Sequence, residues 1–301
     1  MAELRSGILV VDKPEGISSA AVVARVKRGL KAKKAGHCGT LDPFASGVIV
    51  CGINQATRIS RFFLHGDKRY GGVLRLGVET DTQDRTGAVV SECPVNVTDD
   101  AVRTVFAAAV GPMRQQPPAF SALKHKGVPL YKLARAGRPV QKPARDIVIH
   151  HLEILAINLP DVHFDVACSG GTYIRTLAAD LGRALECGAH LRKLVRTESG
   201  PFTLDQAIDL ASLAAPDAPQ TVAARMIGMN EALSFMPERT AWAGMVDRIR
   251  HGMPLTEKDL APPATGSGSP WLRVVDPDRR LLAILEHKKG IARYNYCCVF
   301  N

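Results

Sequence analysis

The segment that most restricts this chain is Ala35-Gly36-His37-Cys38-Gly39-Thr40-Leu41-Asp42-Pro43-Phe44-Ala45-Ser46-Gly47, a loop of glycines and small polar residues enclosing one carboxylate. Gly36 and Gly39 permit sharp turns or close approach of the backbone, and Pro43 biases Asp42 away from helical geometry. Regular elements are expected on both sides. GILVVDKP (7–14) reads as a strand, its apolar run too short for a signal peptide. Ser18 or Ser19 caps a helix to about residue 30 with Val22, Val26 and Leu30 on one face, and VIVCGI (48–53) reads as a buried strand. A rigid frame thus presents Asp42 on a loop, although aspartate before proline by itself usually marks only a turn.

The remaining pattern alternates short strands with helices. Residues 57–65 read as helical, and Tyr70 to about Thr80 with 87–91 as paired strands. Thr98 caps an Ala-rich helix to about 109, after which Pro112, Pro117 and Pro118 interrupt regular structure. A helix is expected over Leu130–Ala136, strands over 146–157 and 162–168, and a helix capped by Thr172 to about 186. Its core face is Ile174, Leu177, Ala178, Leu181 and Leu185, and a further helical region follows Thr203. Composition shifts near 236–241, APPATGSGSP (261–270) reads as a flexible loop, and WLRVVDPDRRLLAILE as a hairpin around Pro277-Asp278. The expectation is an α+β protein, with a larger part over residues 1–237 and a small β-rich module over 238–301.

Charge points to a polyanionic partner. Thirty-nine Lys and Arg stand against 29 Asp and Glu, a net charge of +10. They cluster at Lys27-Arg28, Lys31-Lys33-Lys34, Lys124-Lys126, Lys132-Arg135-Arg138 and Arg192-Lys193-Arg196, beside Gly-rich or Pro-rich loops. The seven cysteines form no C-x-x-C pair, which favours free thiols in a reducing cytoplasm over disulfides or zinc. No apolar stretch is long enough for a membrane-spanning helix, and neither G-x-G-x-x-G nor a P-loop occurs, against a nucleotide-binding enzyme.

Six separated segments then carry a resemblance. KPEGISS (13–19), GHCGTLDPFASG (36–47), DKRY (67–70), SALKHKGVPLYKLARAG (121–137), SGGTYIRTLAADLG (169–182) and GAHLRKLVR (188–196) occur in that order. Together they resemble the bacterial tRNA pseudouridine-55 synthase family, also called the TruB family, over roughly residues 7–210. The C-terminal module is similar, more loosely, to the family's small PUA-type RNA-binding domain.

The resemblance implies a pseudouridine synthase-type mixed sheet flanked by helices, and isomerisation of a T-loop uridine in tRNA with Asp42 as nucleophile. Attack on ribose C1′ or on ring C6 is equally open, and neither needs a cofactor or metal. Arg175 matches the partner of that aspartate, where a bidentate guanidinium would offset the desolvation of a carboxylate and orient it. Tyr70 matches the tyrosine that stacks on the flipped base, and its phenol is a possible general base. Tyr173 matches a second pocket tyrosine able to hydrogen-bond near the Asp42–Arg175 pair, Ile174 and Leu194 the apolar walls, and His37 a contact to the reorganised T loop. Lys13, with Pro14 and Gly16, is expected to support the loop.

One departure stands out: Gly170 occupies a position where the family often carries a basic residue, which suggests weaker phosphate contact or a looser loop there. The implied enzyme is a cytoplasmic monomer acting on the T arm of tRNA, with no membrane and no guide RNA. A non-catalytic RNA-folding module on the same scaffold, or a guide-dependent relative, would be the alternatives.

Overall fold

The computed structural model describes residues 6–214, 218–260, 270–287 and 293–300. Strand β1 (Gly7–Lys13) alternates strictly, sending Ile8 and Val10 to one face of the sheet and Leu9 and Val11 to the other. Ser18 caps helix α1 (Ser19–Gly29) by accepting from the Ala21 amide at 3.1 Å, and Val22 and Val26 bury its inner face. Strands β2 (Ala35–His37) and β3 (Ser46–Ile53) bracket the Asp42 loop. Residues 57–65 do not form one helix: a 3-10 turn over Asn54–Arg58 precedes the single turn α2 (Arg61–Leu64). The buried Lys68 ammonium stops it there, taking the carbonyls of Phe63, Leu64 and Gly66 that a longer helix would need.

Beyond it come β4 (Lys68–Leu76), β5 (Val78–Thr80) and β6 (Val89–Glu92). The expected pairing with residues 87–91 holds only for β5, because β4 turns away into the main sheet. Thr98 caps α3 (Asp99–Ala108) as expected. The proline-rich stretch that follows is more regular than its composition suggests. Strand β7 (Gly111–Gln115) accommodates Pro112 because it lies at the sheet edge, paired on one side only. The short hairpin β8 (Lys124–His125) and β9 (Val128–Pro129) leads to α4 (Leu130–Arg135), then to β10 (Arg145–Asn158) and β11 (Asp161–Cys168).

Helix α5 (Ile174–Ala184) starts after Tyr173 and not after Thr172. The Thr172 hydroxyl is spent inside the preceding turn, donating to the Ser169 carbonyl at 2.9 Å. Strand β12 (Ala189–Ser199) escapes the alternation test because a register shift between Leu191 and Lys193 breaks its period. It is nevertheless central. The large sheet runs β14-β1-β3-β12-β4-β11-β10-β7, with β13 (Phe202–Thr203) on β12 and β14 (Ile208–Asp209) at the far edge. Most pairs are antiparallel, but β1–β14 and β3–β12 are parallel, so the sheet is mixed. The region after Thr203 holds two 3-10 turns and only later helix α6 (Ala218–Arg225).

Helices α1, α3 and α5 cover one face of the sheet through Val22, Val26, Val102, Phe106, Leu177 and Leu181. The opposite face, carrying Ile8, Val10, Val48 and Val50, packs on Phe62, Phe63 and Phe202, and on Leu281, Ile284, Cys298 and Phe300 of the C-terminal part. There a second sheet of four strands spans Glu238–Val299, including the expected hairpin over Trp271–Val275 and Leu281–His287. Of the loop expected over 261–270, all but Pro270 lies outside the described residues. Buried Arg273 joins the two parts, donating to the Met236 and Asn230 carbonyls at 2.9 Å each and pairing with Glu238 at 2.9 Å. No helix among the described residues is long and apolar enough to cross a membrane.

Phe63 is buried and meets Phe202 edge-on at 5.1 Å between the two sheets. Phe63→Ala is expected to lower unfolding free energy by about 3–5 kcal/mol in a urea titration. The exposed Val90, changed to Ala, should stay within about 0.5 kcal/mol of wild type.

Candidate active site

The Asp42 loop is held from four directions. Ser19, first residue of α1, turns its hydroxyl onto the loop, where Oγ accepts from the Leu41 amide and donates to the Leu41 carbonyl, both at 2.9 Å. Lys13, at the end of β1, is fully buried and donates to the carbonyls of Pro14 and Ile17 at 2.9 Å and of Pro43 at 3.1 Å. The Gly16 amide donates to the same Pro43 oxygen at 2.7 Å. Lys13 therefore supports the loop as expected from its sequence position, and its burial lowers the ammonium pKa to about 8, with Asp42 and Glu15 pulling the other way.

Arg196 supplies the fourth support and was not legible as such. In the sequence it looks like part of a basic surface cluster, yet it is buried, with Nε donating to Val48 at 2.7 Å and the terminal nitrogens to Thr40 at 3.2 Å and Gly39 at 3.4 Å. Strand pairing explains the position. Arg196 of β12 lies beside Gly47 of β3 and opposite Tyr70 of β4. A side chain at position 47 would meet the Arg196 carbonyl at 2.3 Å, and Gly47 also has φ +102, so only glycine fits there.

Arg175 meets the loop from the other side. It sits in the first turn of α5, where the helix dipole disfavours a cation, so helix stability does not account for it. Its guanidinium is 3% exposed and fully engaged. Nε donates to Asp42 Oδ2 at 2.8 Å and Nη2 to Oδ1 at 3.3 Å, a bidentate pair. Nη1 donates to the Thr82 carbonyl at 2.6 Å, Nη2 also to Phe120 at 2.9 Å, and Asp84 Oδ2 lies 3.6 Å from Nε. Gln115 anchors the uncapped helix start, accepting from the Tyr173 amide at 2.8 Å and donating to its carbonyl at 3.0 Å. Asp42 keeps 33% of its side chain exposed, and that open side faces a cavity of about 320 Å³.

Tyr70, Tyr173, Ile174, Arg175 and Leu194 all line this cavity with Asp42. Ile174 and Leu194 are buried apolar walls. Burial raises the Tyr70 phenol above its ordinary range, and the Arg196 guanidinium counteracts this only in part, so the hydroxyl is protonated at neutral pH. Tyr173's backbone exchanges hydrogen bonds with Gln115, and its ring packs 4.7 Å beneath the Arg145 guanidinium. His37 does not line the cavity; it pairs with Cys51 in the β2–β3 ribbon, and burial lowers its pKa. Sequence reasoning also missed Lys68 and Arg145, which line the cavity too.

The loop around Gly170 is tied down by hydrogen bonds. Ser169 exchanges hydrogen bonds with Val148 at 2.9 Å through both its amide and its hydroxyl, and Arg145 donates to the Gly171 carbonyl. A Cβ at position 170 would come 2.6 Å from the His65 carbonyl oxygen, which leaves no room for a basic side chain without backbone movement.

Among the described residues no group of three His, Cys, Asp or Glu side chains could hold a metal ion. The family model for the N-terminal domain of TruB family pseudouridylate synthases matches residues 27–174, and that for the tRNA pseudouridylate synthase B C-terminal domain matches 175–231. The chain is similar to tRNA pseudouridine synthase B of Burkholderia mallei, 43% identical over 95% of this chain and 94% of the relative. The namesake from Bordetella parapertussis is 49% identical over 75% of this chain and 92% of its own. Among solved structures, a chain of a Cbf5-Nop10-Gar1 complex superimposes with a TM-score of 0.73 at 27% identity, covering 98% of this chain and 85% of that one. A chain of an H/ACA RNP bound to a substrate RNA containing 2′-deoxyuridine matches with the same score at 26% identity, with the same coverage.

The depressed Lys13 predicts a pH dependence. From about 8, its value in the fold, up to about 10.4, an unperturbed lysine, the unfolded chain binds this proton more than the folded chain does. Its contribution therefore makes stability rise with pH across that window. Urea titrations from pH 7.5 to about 10 should show the stability difference, wild type minus Lys13→Met, growing with pH. A difference that shrinks would contradict a lysine whose burial pushes its ammonium pKa down.

Proposed function

The chain belongs to the TruB family of pseudouridylate synthases, and from that premise we propose that it isomerises a T-loop uridine of tRNA, at position 55, to pseudouridine with Asp42 as nucleophile. The observation that carries the reading is the bidentate Asp42–Arg175 pair at 2.8 and 3.3 Å, at the wall of a cavity with aromatic and apolar sides. In such an isomerisation the N1–C1′ bond breaks, the base rotates and a C5–C1′ bond forms. The C5 proton is lost and N1 gains one, so no oxidant, reductant or group donor enters the balance.

Asp42 offers a carboxylate whose orientation is set by the guanidinium fork and whose remaining lone pairs face the cavity. This suits attack at C1′ or at C6, and a pre-oriented nucleophile supplies much of the rate advantage of such a site. Arg175 orients and electrostatically compensates the carboxylate. Tyr70 offers its ring face to the flipped base, recovering about 1–3 kcal/mol of lost stacking. Because its phenol is protonated at neutral pH, Tyr70 serves first as platform and hydrogen-bond donor, and as a base only after it loses that proton. Ile174 and Leu194 exclude water around the reacting bonds, and Tyr173 shapes the wall. His37, outside the cavity on the neighbouring ribbon, is assigned to contact with the RNA around the flipped nucleotide.

In this reading the protein acts on the T arm directly, as a cytoplasmic monomer without a guide RNA. The relatives named tRNA pseudouridine synthase B support the tRNA substrate. Residues 1–237 form the catalytic part and 238–301 a PUA-like RNA-binding module, an assignment supported by the separate four-stranded sheet and its own hydrophobic cluster. The net charge of +10 suits the sequence-independent part of RNA affinity.

The test uses an unmodified tRNA transcript with tritium at uridine C5. Wild type should release tritium, and Asp42→Asn should release none above background while still binding the transcript. Equal release by both proteins would remove Asp42 as nucleophile, and no release by either would remove the reaction.

A further inference from the structure

Four cationic side chains line the cavity: Lys68, Arg145, Arg175 and Arg196. Three are already committed. Arg175 is taken by Asp42, Asp84 and two carbonyls. Arg196 gives its nitrogens to the carbonyls of Val48, Thr40 and Gly39. Lys68 gives its ammonium to Phe63, Leu64 and Gly66.

Arg145 differs from all three. Its guanidinium lies 4.7 Å over the Tyr173 ring and donates to the Gly171 carbonyl through one terminal nitrogen, which fixes its plane. Its Nε is buried without any hydrogen-bond partner. Among the described residues, no carboxylate forms an ion pair with it; the neighbouring Asp146 pairs with Arg114 instead, at 3.8 Å. A held guanidinium with no counter-charge at a cavity wall is a site for an anion, which its terminal nitrogens would meet because Nε is sealed from the cavity.

We propose that Arg145 binds a backbone phosphate of the RNA next to the flipped uridine, its plane held by Tyr173 and Gly171, and so positions that nucleotide over Asp42. The proposal rests on the reading above that an RNA nucleotide enters this cavity, and it adds which side chain grips the nucleotide's charge. A uracil ring is neutral, so the anion available at the mouth of the cavity is the phosphodiester that travels with it. Planar guanidinium recognition of phosphate oxygens fits a side chain whose orientation is already set. The restraint also explains why Arg145 is not simply a surface charge: stacked on Tyr173, it loses little further freedom when the phosphate arrives.

Binding is measured on the Asp42→Asn background, so that no turnover intervenes, with full-length tRNA transcript over a range of salt concentrations. Arg145→Gln should weaken binding roughly ten-fold and reduce the magnitude of the log Kd against log salt slope by about 0.7–1, the loss of one phosphate contact. Arg145→Lys should restore the slope but only part of the affinity, since a lysine keeps the charge without the planar fork. A slope equal to that of the parent in Arg145→Gln would overturn the proposal, because a purely structural role for Arg145 does not change the number of ions released.

A second arm alters the RNA. Neutral methylphosphonates placed singly at the phosphates flanking the target uridine should weaken binding at one of them, and Arg145→Gln should add no further loss there. Indifference of the parent to every such replacement would equally overturn it. The tritium assay is independent of both arms, so failure of the isomerase reading and failure of the Arg145 assignment are separately visible.

Discussion

The residues around the cavity are arranged about one buried guanidinium. Arg175 occupies a position that is poor for a cation by local rules, the first turn of a helix, and is almost wholly withdrawn from water. Removing such a charge from solvent costs several kcal/mol unless its donors are met. They are met by groups from three separate stretches of chain: Asp42 in the loop before β3, Thr82 and Asp84 after β5, and Phe120 in the segment after β7. The ion pair is thus the point where otherwise distant parts of the chain agree on one geometry, and the carboxylate inherits that geometry.

The rest of the frame serves the same loop from behind. Lys13, Ser19 and Arg196 are buried polar groups that each hydrogen-bond backbone of residues 39–48. Buried polar groups of this kind are costly unless satisfied, so their satisfaction selects one loop conformation over its competitors. The parallel contact of β3 with β12 sets Arg196 beside Gly47, and the antiparallel contact of β12 with β4 sets Tyr70 opposite Arg196. Sheet register alone therefore brings the Asp42 loop and Tyr70 to the same cavity. The C-terminal sheet, packed on the opposite face through Ile284 and Phe300, leaves that cavity open.

Much of this was legible from residues, and the exceptions have identifiable causes. The first strand, the Ser18 and Thr98 caps and the C-terminal hairpin followed from period and capping chemistry. The grouping of Asp42, Tyr70, Tyr173, Ile174, Arg175 and Leu194 around one cavity followed from ordered motifs, although the chemical roles given to them remain proposals. Strand β12 was hidden by its register shift and by basic residues that read as surface, one of which is the buried Arg196. The Thr172 cap failed because a nearer acceptor, the Ser169 carbonyl, took the hydroxyl. Arg145 carries no local signal at all, since its meaning depends on the Tyr173 ring and the Gly171 carbonyl, which only the fold brings to it.

The proposed catalysis depends on Arg175 orienting Asp42 through a fixed fork, and replacing the fork by a single ammonium tests this most directly. Single-turnover rates and tRNA dissociation constants of Arg175→Lys, compared with wild type, separate orientation from binding. The predicted result is a rate lower by on the order of 100-fold with a dissociation constant within about two-fold of wild type, as expected when a nucleophile loses its orientation. A rate equal to that of wild type would show that the Asp42–Arg175 pair does not set the chemistry.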